Sequence, residues 1–403
     1  MSKVKLIPGL FALLRMASVR NHRFQAADAE FRPDPVMAMA KRMHPESLSL
    51  KVVSVRDEVP LVKTYRLKSV SGEPLPVFQA GQYISLKLKI GQTATSRAYT
   101  ISSAPYEAEG PDGYYEITIR QKPEGFVSDW LFQNLQEGAE LSATGPHGDF
   151  YVSPIRDTRE IVAIAGGAGV TPFVSMMKQF LAGRPELSVT LLYGCRNPQD
   201  ILFEQEIDAV IQADPKRFRR FNTFEDNGGN ASLRKGYLDA AFIRENIPEP
   251  EKKTYFICGP AIMYSFLEKE FPKVAFLERK QTRYEVSGAP CDVTRIAGYP
   301  AAFAEKTYTV SVLCNEVKTE IPASGAEPLL TAVERAGLIL DSRCRSGECG
   351  ICRSQLISGD VFILPDGDGR READKELGFI HPCATYPLSD LEVILPPGKA
   401  AQT

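Results

Sequence analysis

One stretch, Cys344-Arg345-Ser346-Gly347-Glu348-Cys349-Gly350-Ile351-Cys352, constrains this chain more than any other. It sets three thiols on a single loop, with four and then two residues between them, and a fourth follows at Cys383 in His381-Pro382-Cys383-Ala384-Thr385. That spacing suits a 2Fe–2S cluster ligated by Cys344, Cys349, Cys352 and Cys383. Gly347 and Gly350 let the loop fold tightly and leave backbone N–H groups free to point at sulfur. A four-cysteine zinc site is the alternative. Such sites are usually built from two short Cys-x2–4-Cys pairs, whereas here three ligands share one loop.

A chain of 403 residues is too long for one core and implies two or three domains. With 24% charged residues and a net charge of -2, no global field favours nucleic acid or an anionic membrane. A small-molecule enzyme is the expected class. Cys195, Cys258, Cys291 and Cys314 are scattered without pairing spacing, as in a reducing cytoplasm. The apolar run from Leu6 to Leu14 contains Pro8 and Gly9 and falls far short of the ~18 residues a span needs, so no transmembrane segment or cleaved leader is expected. Residues 1–47 read as an N-terminal helical extension. Leu6, Leu10, Leu13, Leu14 and Ala17 form a stripe, and a second helix is expected from Val36 to Met43 after Pro33-Asp34-Pro35. Its stripe can pack on the chain's own first domain, dock a partner or lie on a membrane surface.

From Leu48 the texture changes to short β-rich runs: Leu50–Val55, Val62–Leu67, Tyr83–Ile90, Tyr99–Ser102, Tyr115–Arg120 and Glu140–Thr144. Gly/Pro clusters separate them, which predicts an antiparallel barrel or sandwich over 48–153. Within it, Arg97-Ala98-Tyr99-Thr100 resembles the R-x-Y-[ST] flavin motif of the ferredoxin reductase family. The resemblance implies FAD, with Arg97 on the pyrophosphate and Tyr99 along the isoalloxazine; a guanidinium fork and a flat aromatic suit those partners. Gly125-Phe126-Val127-Ser128 leads into a helix expected from Asp129 to Leu135, and Gly125, Val127 and Ser128 would offer backbone N–H groups to the same pyrophosphate. Gly145-Pro146-His147-Gly148-Asp149-Phe150 resembles the family's closing turn.

Between 154 and 286 strands and helices alternate, which implies a parallel sheet with helices on both faces and ligands at the strands' carboxyl ends. Gly166-Gly167-Ala168-Gly169-Val170-Thr171-Pro172 follows the first strand and opens a helix. It resembles the family's pyridine-nucleotide loop, so Gly169, Val170 and Thr171 are expected at the nucleotide, with Thr171 near flavin and nicotinamide. Cys258-Gly259-Pro260 resembles the C-G-P strand end whose cysteine sits beside the nicotinamide, and Glu285 matches an acidic residue near the flavin. Thr171, Cys258 and Glu285 are thus the implied catalytic residues. Tyr193-Gly194-Cys195-Arg196 with Asp200-Ile201-Leu202-Phe203 matches a further family segment. Glu225 and Asp226, after the third strand, would repel a 2′-phosphate and favour NADH, while Arg196, Arg219 and Arg220 argue for NADPH.

Residues 287–305 are rich in Gly, Pro and Ala and read as a linker. Over 306–403 a hairpin with Asn315-Glu316 at its turn, a helix from Leu329 to Ala336 and later strands predict a β-grasp ferredoxin domain. The chain thus resembles an NAD(P)H-dependent flavin reductase fused to a plant-type ferredoxin, as in phthalate dioxygenase reductase-like and hybrid-cluster protein reductase-like proteins. That implies electrons passing from NADH through FAD to the cluster and on to a partner redox protein or oxygenase. The competing class is a non-enzymatic electron-relay subunit of a larger redox complex, against which the intact nucleotide segments argue.

Overall fold

The computed structural model describes residues 15–20, 34–43, 45–275, 277–286, 288–290, 292–365 and 368–396. The chain divides into two units between Pro45 and Glu46. In the first, residues 15–20 are helical and α1 covers Pro35–Met43. Proline is free at a first helical position, and Asp34 Oδ1 accepts from Val36 N at 2.9 Å. Leu6, Leu10, Leu13 and Leu14 lie outside the described residues. No described helix is long and apolar enough to cross a membrane.

The second unit opens with β1 (Leu48–Val59), β2 (Val62–Ser69), β3 (Tyr83–Ile90), β4 (Thr93–Thr100), β5 (Tyr115–Arg120) and β6 (Glu140–His147), ordered β4-β3-β6-β1-β2-β5. Every pairing is antiparallel. Alternation along β1 sends Leu48, Leu50 and Val52 inward, where they meet Tyr65, Leu67, Ile84, Leu86 and Ile117. An Ile101–Ile117 bridge and a bond from Ser102 N to Glu116 O (2.8 Å) bring the two sheet edges together and close the barrel. β4 starts six residues ahead of the expected Tyr99, because Thr93-Ala94-Thr95-Ser96 carries no apolar alternation to announce a strand. A helix, α2, spans Ser128–Asn134.

The second sheet is all parallel: β7 (Glu160–Gly166), β8 (Ser188–Cys195), β9 (Phe218–Phe224), β10 (Thr254–Cys258) and β11 (Thr282–Glu285), in the order β11-β10-β7-β8-β9. Helices α3 (Thr171–Gly183), α4 (Glu204–Ala213), α5 (Ala240–Asn246) and α6 (Ala261–Val274) connect them. The chain builds outward from β7 through β8 and β9, then returns to add β10 on β7's other side. The crevice between the ends of β7 and β10 is therefore the switch point where such sheets take ligands.

The third sheet comprises β12 (Thr307–Cys314), β13 (Val317–Ser324), β14 (Ser354–Ser358), β16 (Phe379–Ile380) and β18 (Leu391–Ile394), ordered β13-β12-β18-β14-β16, while β15 (Val361–Ile363) and β17 (Thr385–Pro387) pair separately. Asn315 and Glu316 both take left-handed φ (49° and 65°), as a two-residue turn matched to strand twist requires. Helix α7 (Leu329–Arg335) buries Leu329, Leu330, Ala332 and Val333 against this sheet, and α8 covers Glu372–Glu376. The stretch read as a linker is only partly one. Val293 and Tyr299 are buried in the third core, where the Tyr299 ring meets Phe362 edge-on at 5.2 Å and its hydroxyl donates to Gly325 O at 2.8 Å. Cys291 lies outside the described residues.

Candidate functional site

Three neighbourhoods carry the expected residues, and one cavity joins two of them to the flavin barrel's edge. On β4, Arg97, Ala98, Tyr99 and Thr100 are only half-buried, although the strand belongs to a closed barrel. Arg97 Nη1 donates to Thr95 Oγ1 and to Ser96 O, each at 2.7 Å. Burial, aided by the Arg345 guanidinium, pulls its pKa down to about 10. A guanidinium so placed is short of negative charge, which is the environment an anionic pyrophosphate would complete. Gly125 belongs to the turn ahead of α2: a Cβ there would lie 2.5 Å from Ser128 Oγ and 2.6 Å from Lys122 O. Ser128 Oγ accepts from Lys122 N at 3.0 Å, so its hydroxyl holds this turn, and Val127 is buried.

At the switch point the loop after β7 and the end of β10 press together. A Cβ on Gly169 would stand 2.1 Å from Cys258 O, and one on Gly259 would stand 2.4 Å from Met263 Cε and 3.2 Å from Gly166 Cα. At Gly169, where the atoms met are all backbone, only glycine permits such an approach. Val170 and Thr171 are buried, and Thr171 Oγ1 donates to Ala168 O at 3.1 Å. Tyr193 explains its own segment: its hydroxyl donates to Gly167 O (3.0 Å) and accepts from Leu202 N (3.2 Å), tying the 193–202 stretch to the glycine loop. Asp200 pairs with Arg120 of the barrel at 2.9 Å. Cys258 faces Glu285 across the β10–β11 pairing, and Pro260 caps α6. Burial, then the Glu285 charge, raises the Cys258 thiol well above its usual range, so the sulfur is a neutral, compact group rather than a nucleophile. Glu285 is itself pushed well above the carboxylate range by burial and by the nearby Glu348, Cys344 and Asp149.

The four predicted thiols converge. Cys352 Sγ and Cys383 Sγ are 3.4 Å apart, far beyond a disulfide and close to the ~3.8 Å that two thiolates on one tetrahedral metal with ~2.3 Å bonds would show. Cys344 Sγ accepts from Ser346 N at 3.5 Å and Cys349 N at 3.4 Å, the amide contacts expected around cluster sulfur. Hydrogen bonds from the Cys349 and Cys383 thiols hold Cys344 below the ordinary thiol range.

A cavity of about 470 Å3 runs between these elements, lined by Tyr83 and Asp149 of the barrel, Arg283 and Glu285 at β11, and Cys344 and Cys349 of the thiol loop. It places Glu285 and two of the four thiols on one wall system.

The sequence matches three family models in order: an oxidoreductase FAD-binding domain over 50–151, an oxidoreductase NAD-binding domain over 163–269 and a 2Fe-2S iron-sulfur cluster binding domain over 312–388. The glycine betaine monooxygenase reductase subunit of Chromohalobacter salexigens is 30% identical over 327 residues, covering 78% of this chain and 87% of that one. The chain belongs to this family of flavin and 2Fe–2S reductases. NADH oxidoreductase HCR of Escherichia coli is 26% identical across 85% of this chain and 96% of its own. The crystal structure of phthalate dioxygenase reductase shares the fold, with a TM-score of 0.62 at 22% identity over 87% of this chain and 98% of that one.

As a member of the family, the protein is an NAD(P)H oxidoreductase with FAD, NAD(P) and 2Fe–2S domains, and the residues fit those groups. The guanidinium on β4, the Cβ-free crevice between β7 and β10 and the converging thiols each supply the matching chemistry. Sequence reading overlooked Tyr83, which lines the cavity, and His381, which is buried under the thiol loop with Nδ1 donating to Gly347 O at 2.5 Å. His381 lies two residues before the expected ligand Cys383 and could have been found by that proximity. Tyr83 carries no such signal.

Proposed function

We propose that this chain is the NADH-oxidising reductase component of an oxygenase system. The observation that carries the reading is the cavity shared by the β11 carboxylate Glu285, the barrel residue Tyr83 and the cluster thiols Cys344 and Cys349. The reductases of glycine betaine monooxygenase and stachydrine N-demethylase are relatives by name, which is the basis for assigning an oxygenase as acceptor. When bound, FAD takes two electrons from a hydride donor and releases them singly, and a 2Fe–2S cluster carries one at a time.

In this reading Arg97, Ala98, Tyr99 and Thr100 hold the flavin, assisted by Gly125, Val127 and Ser128. Gly169, Val170 and Thr171 with Cys258, Gly259 and Pro260 hold the nicotinamide nucleotide. Thr171 keeps its hydroxyl on the loop carbonyl, Cys258 fills the crevice floor without charge, and Glu285 offers a proton-bearing carboxyl beside the flavin. Cys344, Cys349, Cys352 and Cys383 ligate the cluster. The N-terminal extension, residues 1–47, is assigned to recognition of the acceptor. Mixing the purified protein anaerobically with NADH should bleach the flavin band and then the cluster band. A protein that stays oxidised until another subunit is added would be a relay subunit instead.

NADH is preferred on the disposition of charge after β9. Glu225 and Asp226 are exposed and fixed by their backbone amides to Cys195 O (3.1 Å) and Arg196 O (2.8 Å), at the ligand end of the sheet. Two of the three arginines that argued for NADPH are placed elsewhere. Arg220 pairs with Asp208 at 3.1 Å, and Arg219 lies near the start of β9, away from that end. Replacing Glu225 and Asp226 by Ser and Arg is expected to raise the NADPH-to-NADH ratio of kcat/KM by at least about tenfold. Faster wild-type turnover with NADPH would overturn the assignment.

A further inference from the structure

The thiol loop is pinned to the flavin strand by a buried polar seam that neither the flavin motif nor the cysteine motif accounts for. Glu334 of α7 receives Arg345 on both oxygens, Nη1 to Oε1 at 2.6 Å and Nη2 to Oε2 at 3.0 Å. Thr95 of β4 donates its hydroxyl to Glu334 Oε2 at 3.0 Å and accepts from Arg97 Nη1 at 2.7 Å and Arg345 Nη1 at 3.4 Å. Next to it Ser96 Oγ donates to Ser342 O at 2.9 Å, and Ser85 Oγ to Arg343 O at 3.3 Å. Thr95, Ser96, Ser85, Glu334 and Arg345 are all buried. An unbroken line of hydrogen bonds therefore runs from Arg97, the expected flavin anchor, through Thr95 and Glu334 to the residue following the first cluster cysteine.

Two features argue that this seam specifies position. A buried ion pair gains little over apolar side chains of the same volume once desolvation is counted, but it tolerates only one register. And Arg345 sits at φ 57°, in the left-handed region where its loop neighbours Gly347 (φ 89°) and Gly350 (φ 67°) are glycine. A side chain kept at such a backbone position has a use for its guanidinium, and that use is Glu334.

We propose that Thr95 and Glu334 are positioning residues that hold the cluster loop at a fixed separation from the flavin strand and so set the rate of electron delivery from flavin to cluster. The proposal rests on the reading of β4 as the flavin strand. It is tested in the full-length holoprotein with Thr95→Val, which keeps shape but loses the hydroxyl, Thr95→Ser, which keeps the hydroxyl, and Glu334→Gln. Hydrogen–deuterium exchange over residues 340–346 reports loop seating without any turnover, and rapid mixing with NADH separates flavin reduction from cluster reduction. Thr95→Val and Glu334→Gln are expected to speed amide exchange in the loop and slow cluster reduction by about tenfold, a displacement of ångström size being enough for that. FAD content, the oxidised cluster spectrum and NADH-to-ferricyanide turnover should stay at wild-type values, and Thr95→Ser should restore both readouts. Wild-type exchange and wild-type cluster reduction in Thr95→Val would overturn the proposal, as would loss of FAD from it. A wild-type protein inert to NADH would instead sink the functional reading, and the exchange comparison would still decide whether the seam seats the loop.

Discussion

Cys349→Ser is expected to abolish the 2Fe–2S chromophore and cut NADH-driven reduction of a cluster-dependent acceptor such as cytochrome c by at least about 100-fold, while NADH-to-ferricyanide turnover at the flavin persists. Cys349 is the most exposed of the four proposed ligands, and serine keeps the backbone amide that donates to Cys344 Sγ, so the substitution removes a thiolate while leaving that loop contact in place. The proposed flavin and nucleotide residues stand on other sheets, with Arg97 on β4 and the glycine loop after β7. The substitution changes nothing in either. Absorbance and paramagnetic resonance of the reduced protein check the first half, and steady-state assays with the two acceptors check the second. Loss of both activities from a protein that still melts cooperatively would show that the cluster loop holds up the flavin site, and the modular account would fall.

What could be foreseen divides along sequence separation. The convergence of the thiols was legible because three of them lie within nine residues, on one local loop. The glycine loop and the Cys258-Gly259-Pro260 end were legible for a related reason. Each is a turn forced by glycine at a strand terminus, and the structure shows why, since a Cβ at Gly169 or Gly259 meets the other segment. Strands with apolar alternation, such as β1 and β3, announced themselves. β11 did not: Thr282-Arg283-Tyr284-Glu285 is four half-buried residues on a sheet edge, and its strand character comes from pairing with β10.

The seam between β4 and the cluster loop was invisible for the same physical reason in stronger form. Ser85 and Arg343 are 258 positions apart, and Thr95 and Glu334 are 239 apart. Serine, threonine and an Arg–Glu pair read as ordinary surface residues until tertiary packing buries them together. Tyr299 shows the converse error. Its neighbours Gly298 and Pro300 suggest a flexible linker, yet one aromatic ring packed on Phe362 and Tyr386 is enough to fix that stretch in the third core.

Gly169→Ala should produce the second large effect, and at the proposed nucleotide end of the path. The added methyl would be centred 2.1 Å from Cys258 O, 2.5 Å from Cys258 C and 2.8 Å from Gly259 N, so all three nearest atoms are backbone. Neither side can yield cheaply. Cys258 is fixed by parallel pairing of β10 to Ala165 on one side and Glu285 on the other, and Val170 and Thr171 beyond the glycine are buried. Overpacking of this kind costs about 1–3 kcal/mol, and here the strain is relieved only by parting the loop from the β10 end, which widens the crevice that would hold the nicotinamide. A misplacement near 1 Å lowers a rate by about 100-fold, so NADH-dependent flavin reduction should fall by that order. Dithionite, which needs no nucleotide site, should still reduce flavin and cluster fully. Gly183→Ala at the end of α3 is the matched control, since its Cβ would meet nothing nearer than Gln179 Nε2 at 3.6 Å, and it should leave NADH turnover unchanged. Wild-type flavin reduction by NADH in Gly169→Ala would mean that the contact between the glycine loop and Cys258 does not shape the nucleotide crevice, and the assignment of Gly169, Cys258 and Gly259 to that crevice would have to be withdrawn.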